Sequence, residues 1–266
     1  MFDFVEGAQT EQRTCEKHGE YTAGVVYASR HGEDIWSTCP ECRAEYLAAQ
    51  AARNAEAERE REAERLASRL RNSGIPLRFR DRSLDNFATD CEGERKALRV
   101  ARAYAERFES AAKKGTSLIF CGLPGTGKTH LACAIASHVI RAGYSALFIN
   151  AIAALRRVKA TYSKDRAESE EAAIEAFRNP RLLILDEIGV QFGSETERQI
   201  LFEIINGRYE ALRPTILVSN EPLAQCAIYV GDRVMDRMKE NGGAVLSFDW
   251  PSRRATANGP RDGEGA

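Results

Sequence analysis

Residues 117–143 read SLIFCGLPGTGKTHLACAIASHVIRAG, a short apolar run, a glycine-rich turn and an amphipathic stretch in unbroken succession. Gly122 through Thr129 satisfies G-x-x-x-x-G-K-[ST] in full, directly after a predicted strand and at the mouth of a predicted helix. Glycines let backbone amides converge on phosphate oxygens, and the first helical turn adds its positive end. Gly122, Pro124, Gly125, Thr126 and Gly127 shape the loop. Lys128 supplies a point charge for the β- and γ-phosphates, and the Thr129 hydroxyl is placed to ligand Mg²⁺. A simple glycine turn would not require strand, loop and helix together, so the stretch reads as a nucleotide site.

Such a site needs a carboxylate at the end of a neighbouring strand. Residues 181–187, RLLILDE, provide it 58 positions beyond Lys128. Asp186 is expected to hold Mg²⁺ directly or through water, and Glu187 to polarise the attacking water. The second acid favours ATP hydrolysis over simple nucleotide binding. No LSGGQ-like stretch separates Lys128 from Asp186, no NKxD follows, and the first Glu after the loop is Glu168. Those absences argue against transporter, GTPase and recombinase-type ATPases. The remaining apolar runs, SALFIN (145–150), TILVSN (215–220) and AVLSFD (244–249), alternate with helical patterns. Near-continuous apolar strands between helices imply an α/β fold, a five-stranded parallel sheet covered on both faces. Asn220 ends TILVSN; if its strand lies between the phosphate strand and the acid strand, it could orient the water. That is the AAA+ layout of P-loop NTPases.

At 266 residues the chain is a little under two domains by the usual ~150 residues per domain. It is 43% hydrophobic, and its formal net charge of −1 excludes a uniformly basic coat for nucleic acid but not a local basic patch. Thirty of the 38 basic residues are Arg, suited to bidentate phosphate contacts. No apolar run approaches the ~18 residues of a membrane span, and the first residues lack a signal-peptide pattern. A cytoplasmic protein with no membrane partner is expected.

Three of the seven cysteines lie within the first 42 residues. Cys15-x-x-His18 and Cys39-x-x-Cys42 are two ligand pairs separated by 20 residues, the spacing with which a chain bends round one tetrahedral Zn²⁺. His31 competes with His18 for the fourth place. GVVYAS and DIWSTC read as short strands, so residues 1–43 are expected to form a zinc ribbon; so small a piece has little core without a metal staple. Its mixed charge leans toward protein docking rather than DNA. Residues 44–75 open with an Ala/Glu/Arg/Leu run free of Gly and Pro until Gly74, a connecting helix with Glu58/Arg61 and Glu62/Arg65 at i,i+3 spacing. Asn72-Ser73-Gly74 supplies its stop. The ATPase domain follows over 76–254, and the apolar-poor tail 255–266 is expected to be disordered.

The core resembles the DnaC-type replicative helicase loaders, including phage-encoded versions, through FATDCEGERKALRVARAYA (87–105), GLPGTGKTHLA, LLILDEIGVQ, GDRVMDRM (231–238) and FDW (248–250). These blocks span residues 76–254, about two thirds of the chain. The resemblance implies that Arg233 acts as an arginine finger toward a neighbouring subunit, in an ATP-bound homo-oligomer. It also implies a C-terminal sensor arginine, assigned to Arg254 with Arg253 adjacent; Pro251 departs from the family pattern. Single-stranded DNA binding is implied for the helical insertion 151–164, where Arg156, Arg157 and Lys159 could reach phosphates and Tyr162 could stack on a base. The N-terminal ribbon replaces the helical segment of the best-known enterobacterial loader. The expected function is therefore an ATP-dependent helicase loader, a slow, DNA-stimulated ATPase whose partners are the replicative helicase and single-stranded DNA. The rival readings are a transposition helper ATPase and a DNA-binding adaptor for which hydrolysis is inessential.

Overall fold

A computed structural model describes residues 9–27, 35–163, 167–189 and 194–253. His31, Lys164, Arg254 and the tail 255–266 lie outside the described residues. Two compact units are present, residues 1–65 and 66–266.

The first unit holds an antiparallel hairpin of β1 (Thr10–Cys15) and β2 (Gly19–Tyr27), to which β3 (Ile35–Trp36) adds a short edge. Strand β1 departs from the expected pattern: its residues, TEQRTC, are almost wholly exposed and carry no apolar alternation to betray them. The hairpin turn is the Cys15–His18 segment itself, closed by the pair Cys15↔Gly19. The Arg13 guanidinium lies 4.7 Å over the Trp36 ring and covers its face. Helix α1 (Pro40–Asn72) begins four residues before the expected Ala44, so Cys42 belongs to its first turn. Its alanines, glutamates and arginines favour helix without supplying an apolar stripe, and none of its residues is buried. Glu58 draws in Arg61 and Arg65, each at 3.8 Å.

In the second unit, Ser73 and Gly74 end α1 against a strand edge. Ser73 accepts from the Phe148 amide at 2.7 Å, and Gly74 has φ +73° where a Cβ would stand 2.2 Å from the Phe148 carbonyl oxygen. Helices α2 (Glu92–Glu106) and α3 (Phe108–Lys114) lead into β4 (Leu118–Gly122), the phosphate loop and α4 (Lys128–Arg141). Then follow β5 (Ala146–Asn150), α5 (Ala151–Ala160), α6 (Glu170–Arg178), β6 (Leu182–Ile188), α7 (Glu195–Glu210) and β7 (Thr215–Ser219). Helices α8 (Leu223–Val230) and α9 (Asp232–Lys239) precede the last strand, β8 (Ala244–Phe248).

The sheet order is β5-β6-β7-β4-β8, and every pairing is parallel. One face buries Phe120, Ile184 and Val218 against α2, α3 and α4; the other buries Ile119, Leu183, Leu185 and Leu217 against α5 through α9. All five apolar runs are strands, within a residue of their expected bounds. Burial on both faces explains why they read as continuous rather than alternating. Among the described residues, no helix is long and apolar enough to cross a membrane.

Arg208 on α7 is fully buried, without a carboxylate partner among the described residues. Its guanidinium donates to the carbonyls of Phe177 (3.0 Å), Arg178 (2.9 Å), Pro180 (2.8 Å) and Pro214, and to the Thr215 hydroxyl (2.9 Å). Burial pulls its pKa down to about 9, still charged at neutral pH. One side chain thus satisfies the carbonyls of both loops that feed β6 and β7. Arg208→Met would leave them buried and unpaired, so a loss of about 3–5 kcal/mol is expected in urea unfolding. A change under about 1 kcal/mol would show that water can replace the guanidinium.

Candidate nucleotide site and cysteine–histidine cluster

Every parallel strand presents its C-terminal end to the same edge of the sheet, and there a cleft of about 360 Å³ opens. Pro124, Gly125, Gly127, Lys128, Thr129, Asp186, Glu187 and Asn220 all line it. Strand β7 lies between β6 and β4, which brings Asn220 between the acid strand and the phosphate strand. The glycines are demanded by close neighbours. A Cβ at Gly122 would meet the Phe248 carbonyl oxygen at 2.4 Å, and one at Gly127 the Phe87 ring at 2.6 Å, with both glycines at positive φ. Gly122 and Thr126 support the loop rather than face the cleft. Thr126 is buried, its hydroxyl donates to the Leu123 carbonyl (2.7 Å), and its own carbonyl accepts from the Trp250 indole (3.0 Å).

Lys128 donates to the carbonyls of Gly122 (2.8 Å) and Leu123 (2.6 Å). The Thr129 hydroxyl donates to Asp186 Oδ2 at 3.0 Å, so the two expected Mg²⁺ ligands already meet. Burial raises the Asp186 pKa, opposed by the Glu187 amide at 2.8 Å and the Thr129 hydroxyl. A buried carboxylate of this kind gains from a cation beside it. Thr129 and Asp186 therefore fit a divalent ion with a water-filled remainder.

Glu187 is exposed and sits at φ +60°, an uncommon conformation for a residue other than glycine. Its carboxylate accepts from the Asn150 amide at the end of β5. Asn150 also caps α5, its Oδ1 accepting from the Ile152 amide at 2.8 Å. This asparagine closes SALFIN in the sequence, yet only the pairing of β5 with β6 brings it beside the acid. Phe79, Arg82, Phe87 and His130 also line the cleft, and His130 stacks edge-on to Phe87 with centroids 5.2 Å apart. Phe87 and His130 fall within the blocks that resemble the loaders but carry no motif role there, and Phe79 and Arg82 lie in the segment before α2 that no motif covers.

Arg254, the expected sensor, lies outside the described residues, whereas Arg253 lines the cleft. Its amide donates to the Gly125 carbonyl (3.0 Å), and its guanidinium to Glu94 and Asp90 (both 2.8 Å). Burial alone would raise the Glu94 pKa, but the Cys91 and Asp90 amides with Arg253 lower it below the usual carboxylate range. Arg233 stands on α9 away from the cleft, exposed and without a hydrogen bond or ion pair among the described residues.

On α5, Arg156 is exposed and similarly unpartnered among the described residues. The other three candidate DNA groups meet carboxylates. Arg157 forks onto Glu168 (2.7 and 2.9 Å), Lys159 reaches Glu197 (2.7 Å), and the Tyr162 hydroxyl donates to Glu170 (2.9 Å).

In the first unit, Cys15, His18, Cys39 and Cys42 gather their ligand atoms within 4.8 Å of one another. His18 Nδ1 is 3.3 Å from the Cys42 sulfur, 3.6 Å from Cys39 and 3.8 Å from Cys15. A tetrahedral Zn²⁺ with ordinary bond lengths sets S···N edges of about 3.5 Å and S···S edges of about 3.8 Å. The observed Cys15–Cys42 edge is 3.5 Å. His18 Nε2 contacts Glu45 at 3.2 Å, which orients the ring with Nδ1 toward the sulfurs. Backbone amides of Lys17 and His18 hold the Cys15 thiol down to about 6, whereas Cys15 beside it pushes Cys42 up to about 11. Crowded sulfurs of this kind fit a thiophilic cation, which lets all of them ionise together.

The IstB-like ATP binding protein family model matches residues 52–239. The replicative helicase loader DnaC of Escherichia coli K12 is 34% identical over 229 residues, covering 86% of this chain and 92% of the relative. The chain belongs to the DnaC family of helicase loaders. As a DnaC-family member it is an ATP-binding AAA+ protein of DNA replication. A second relative, the E. coli K12 protein YdaV, is 31% identical over 227 residues, covering 85% of this chain and 90% of its own length. Among solved structures, the DnaC helicase loader superposes with a TM-score of 0.58 at 26% identity, covering 65% of this chain and all of that one. DnaI gives the same score at 22% identity over 70% of this chain and 99% of its own, a likeness of fold. The family match begins after the cysteine–histidine cluster, so that module lies outside the span shared through the family model.

Proposed function

We propose that this DnaC-family protein delivers a replicative helicase onto single-stranded DNA, with ATP binding holding the assembly and hydrolysis releasing it. One observation carries the reading: a complete phosphate loop, paired strand-end acids and Asn220 line one cleft, in a chain 34% identical to a replicative helicase loader across 86% of its length. In that cleft Lys128 contacts the β- and γ-phosphates, Thr129 and Asp186 hold Mg²⁺, and Glu187 with Asn220 orients the water. Magnesium when bound screens the phosphate charge. Arg233, exposed on α9, reaches the nucleotide of a neighbouring copy, which makes the oligomer ATP-dependent. Cys15, His18, Cys39 and Cys42 hold a structural Zn²⁺, and the module they staple docks on the helicase.

The Asn150 contact draws Glu187 toward β5, whereas the phosphates lie on the β4 side. Asn150→Ala should therefore raise basal ATP turnover by about threefold or more. Asn150→Asp keeps the helix-cap acceptor but repels Glu187, and should do the same. An unchanged rate in both would remove the restraint.

Arg156, Arg157, Lys159 and Tyr162 form the single-strand contact, with Glu168, Glu170 and Glu197 yielding to the phosphates. Tyr162→Ala should weaken oligonucleotide binding by about tenfold, one stacked base, with ATP affinity intact. Unchanged anisotropy titrations would take the base contact away from Tyr162.

Light scattering after size-exclusion chromatography tests the whole reading. The full chain should co-elute with the replicative helicase in the presence of ATP·Mg²⁺, and the complex should be lost on deleting residues 1–72. Well-folded protein that forms no complex in any nucleotide state shifts the assignment to the transposition helper.

A further inference from the structure

Behind the nucleotide cleft, a groove of about 560 Å³ lies between α2, the C-terminal half of α4 and the segment 80–85. Arg80, Arg82, Arg102 and Arg141 line it, with Ser137 and His138 on the α4 wall. Arg102 is engaged, bonding Asp85 at 2.9 Å and the Leu84 carbonyl at 3.2 Å. Arg80, Arg82 and Arg141 have no side-chain hydrogen bond or ion pair among the described residues. Ser137 is 7% exposed, and its hydroxyl has no partner among the described residues. Buried hydroxyls are almost always bonded, so an orphan against a cationic groove points to a partner from outside the chain.

We propose that this groove binds a small phosphate-bearing ligand, a phosphomonoester or pyrophosphate, as a second site distinct from the phosphate loop. Guanidinium groups fork onto phosphate oxygens, and Arg80 and Arg141 are available to do so. A small rotation of Ser137 would let its hydroxyl join them. The carboxylates of Asp81 and Glu106, which have no ion pair among the described residues, also line the groove. They repel a long polyanion but accept hydroxyl donors of a sugar or polyol ester. Coupling to the ATP site follows from shared walls: Arg82 lines both the groove and the nucleotide cleft, and His130 bonds the Ser83 carbonyl at 3.0 Å.

Calorimetric titration with pyrophosphate tests the site on the full chain, first with saturating ADP·Mg²⁺ to fill the phosphate loop. One binding event is expected, retained in Lys128→Ala without ADP and weakened at least about tenfold in Arg80→Ala/Arg141→Ala, two exposed positions whose loss spares the fold. Ribose 5-phosphate should compete with the pyrophosphate. No heat in the ADP-saturated protein, equal affinity in the double variant, or loss of the signal in Lys128→Ala overturns the site. Competition instead by an oligonucleotide without terminal phosphates would assign the groove to a nucleic-acid backbone and overturn the small-ligand proposal.

Discussion

Glu187→Gln should lower ATP turnover by at least about a hundredfold while leaving ATP affinity within about threefold, because a base that orients and deprotonates water acts on the chemical step rather than on binding. Glutamine matches glutamate in shape and can still accept from Asn150, and the cap that Asn150 Oδ1 makes with the Ile152 amide is untouched. The neighbouring acid behaves differently. Asp186 is buried and bonded to Thr129, so Asp186→Asn removes charge from the expected Mg²⁺ position and should weaken nucleotide binding as well as turnover. Radiolabelled ATP hydrolysis with parallel binding titrations separates the two. In helicase loading, Glu187→Gln should trap the loader on its partner. A variant that retains full loading activity with turnover abolished would favour the adaptor reading, in which hydrolysis is inessential.

Stripping the metal should unfold the first unit and spare the second. Among the described residues of unit 1, Ala23 and Cys39 are the only buried apolar residues, so the hairpin has almost no core of its own. Zinc binding contributes about 10–16 kcal/mol in comparable peptides, far more than this hairpin can supply by burial. Hydrogen exchange should show protection across β1 and β2 lost on chelation, and the strands around β4 unchanged. Elemental analysis should find one Zn²⁺ per chain in the native protein and none after Cys39→Ser/Cys42→Ser. Full protection of the hairpin in metal-free protein would overturn the structural role, and the module would then need another source of order.

The amino-acid sequence by itself determined the nucleotide chemistry and the class of fold. Gly122–Thr129, Asp186–Glu187 and the pairs Cys15/His18 and Cys39/Cys42 are legible because their pattern rests on covalent spacing: a turn must follow its strand within a few residues, and close-spaced pairs can bend toward one point. The five buried strands are legible because burial on both faces leaves continuous apolar runs. Strand β1 was not, since its side chains face solvent and its order comes from the pairing and the cluster beside it.

Tertiary structure alone decided which distant side chains meet. The order β6-β7-β4 brings Asn220 between acid and phosphate loop, and the β5–β6 pairing brings Asn150 to Glu187. Arg253 reaches Glu94 across 159 positions, and Trp250 holds Thr126 across 124. No motif in the sequence marks Arg208, yet it is the buried donor for two loops. Of the groups expected to meet DNA, Arg157, Lys159 and Tyr162 are each supplied with a carboxylate acceptor by the folded chain, which spacing alone does not foretell. The physical reason is common to all of these. A side chain's partner is fixed by which elements become neighbours, and that follows from sheet order and burial rather than from distance along the chain.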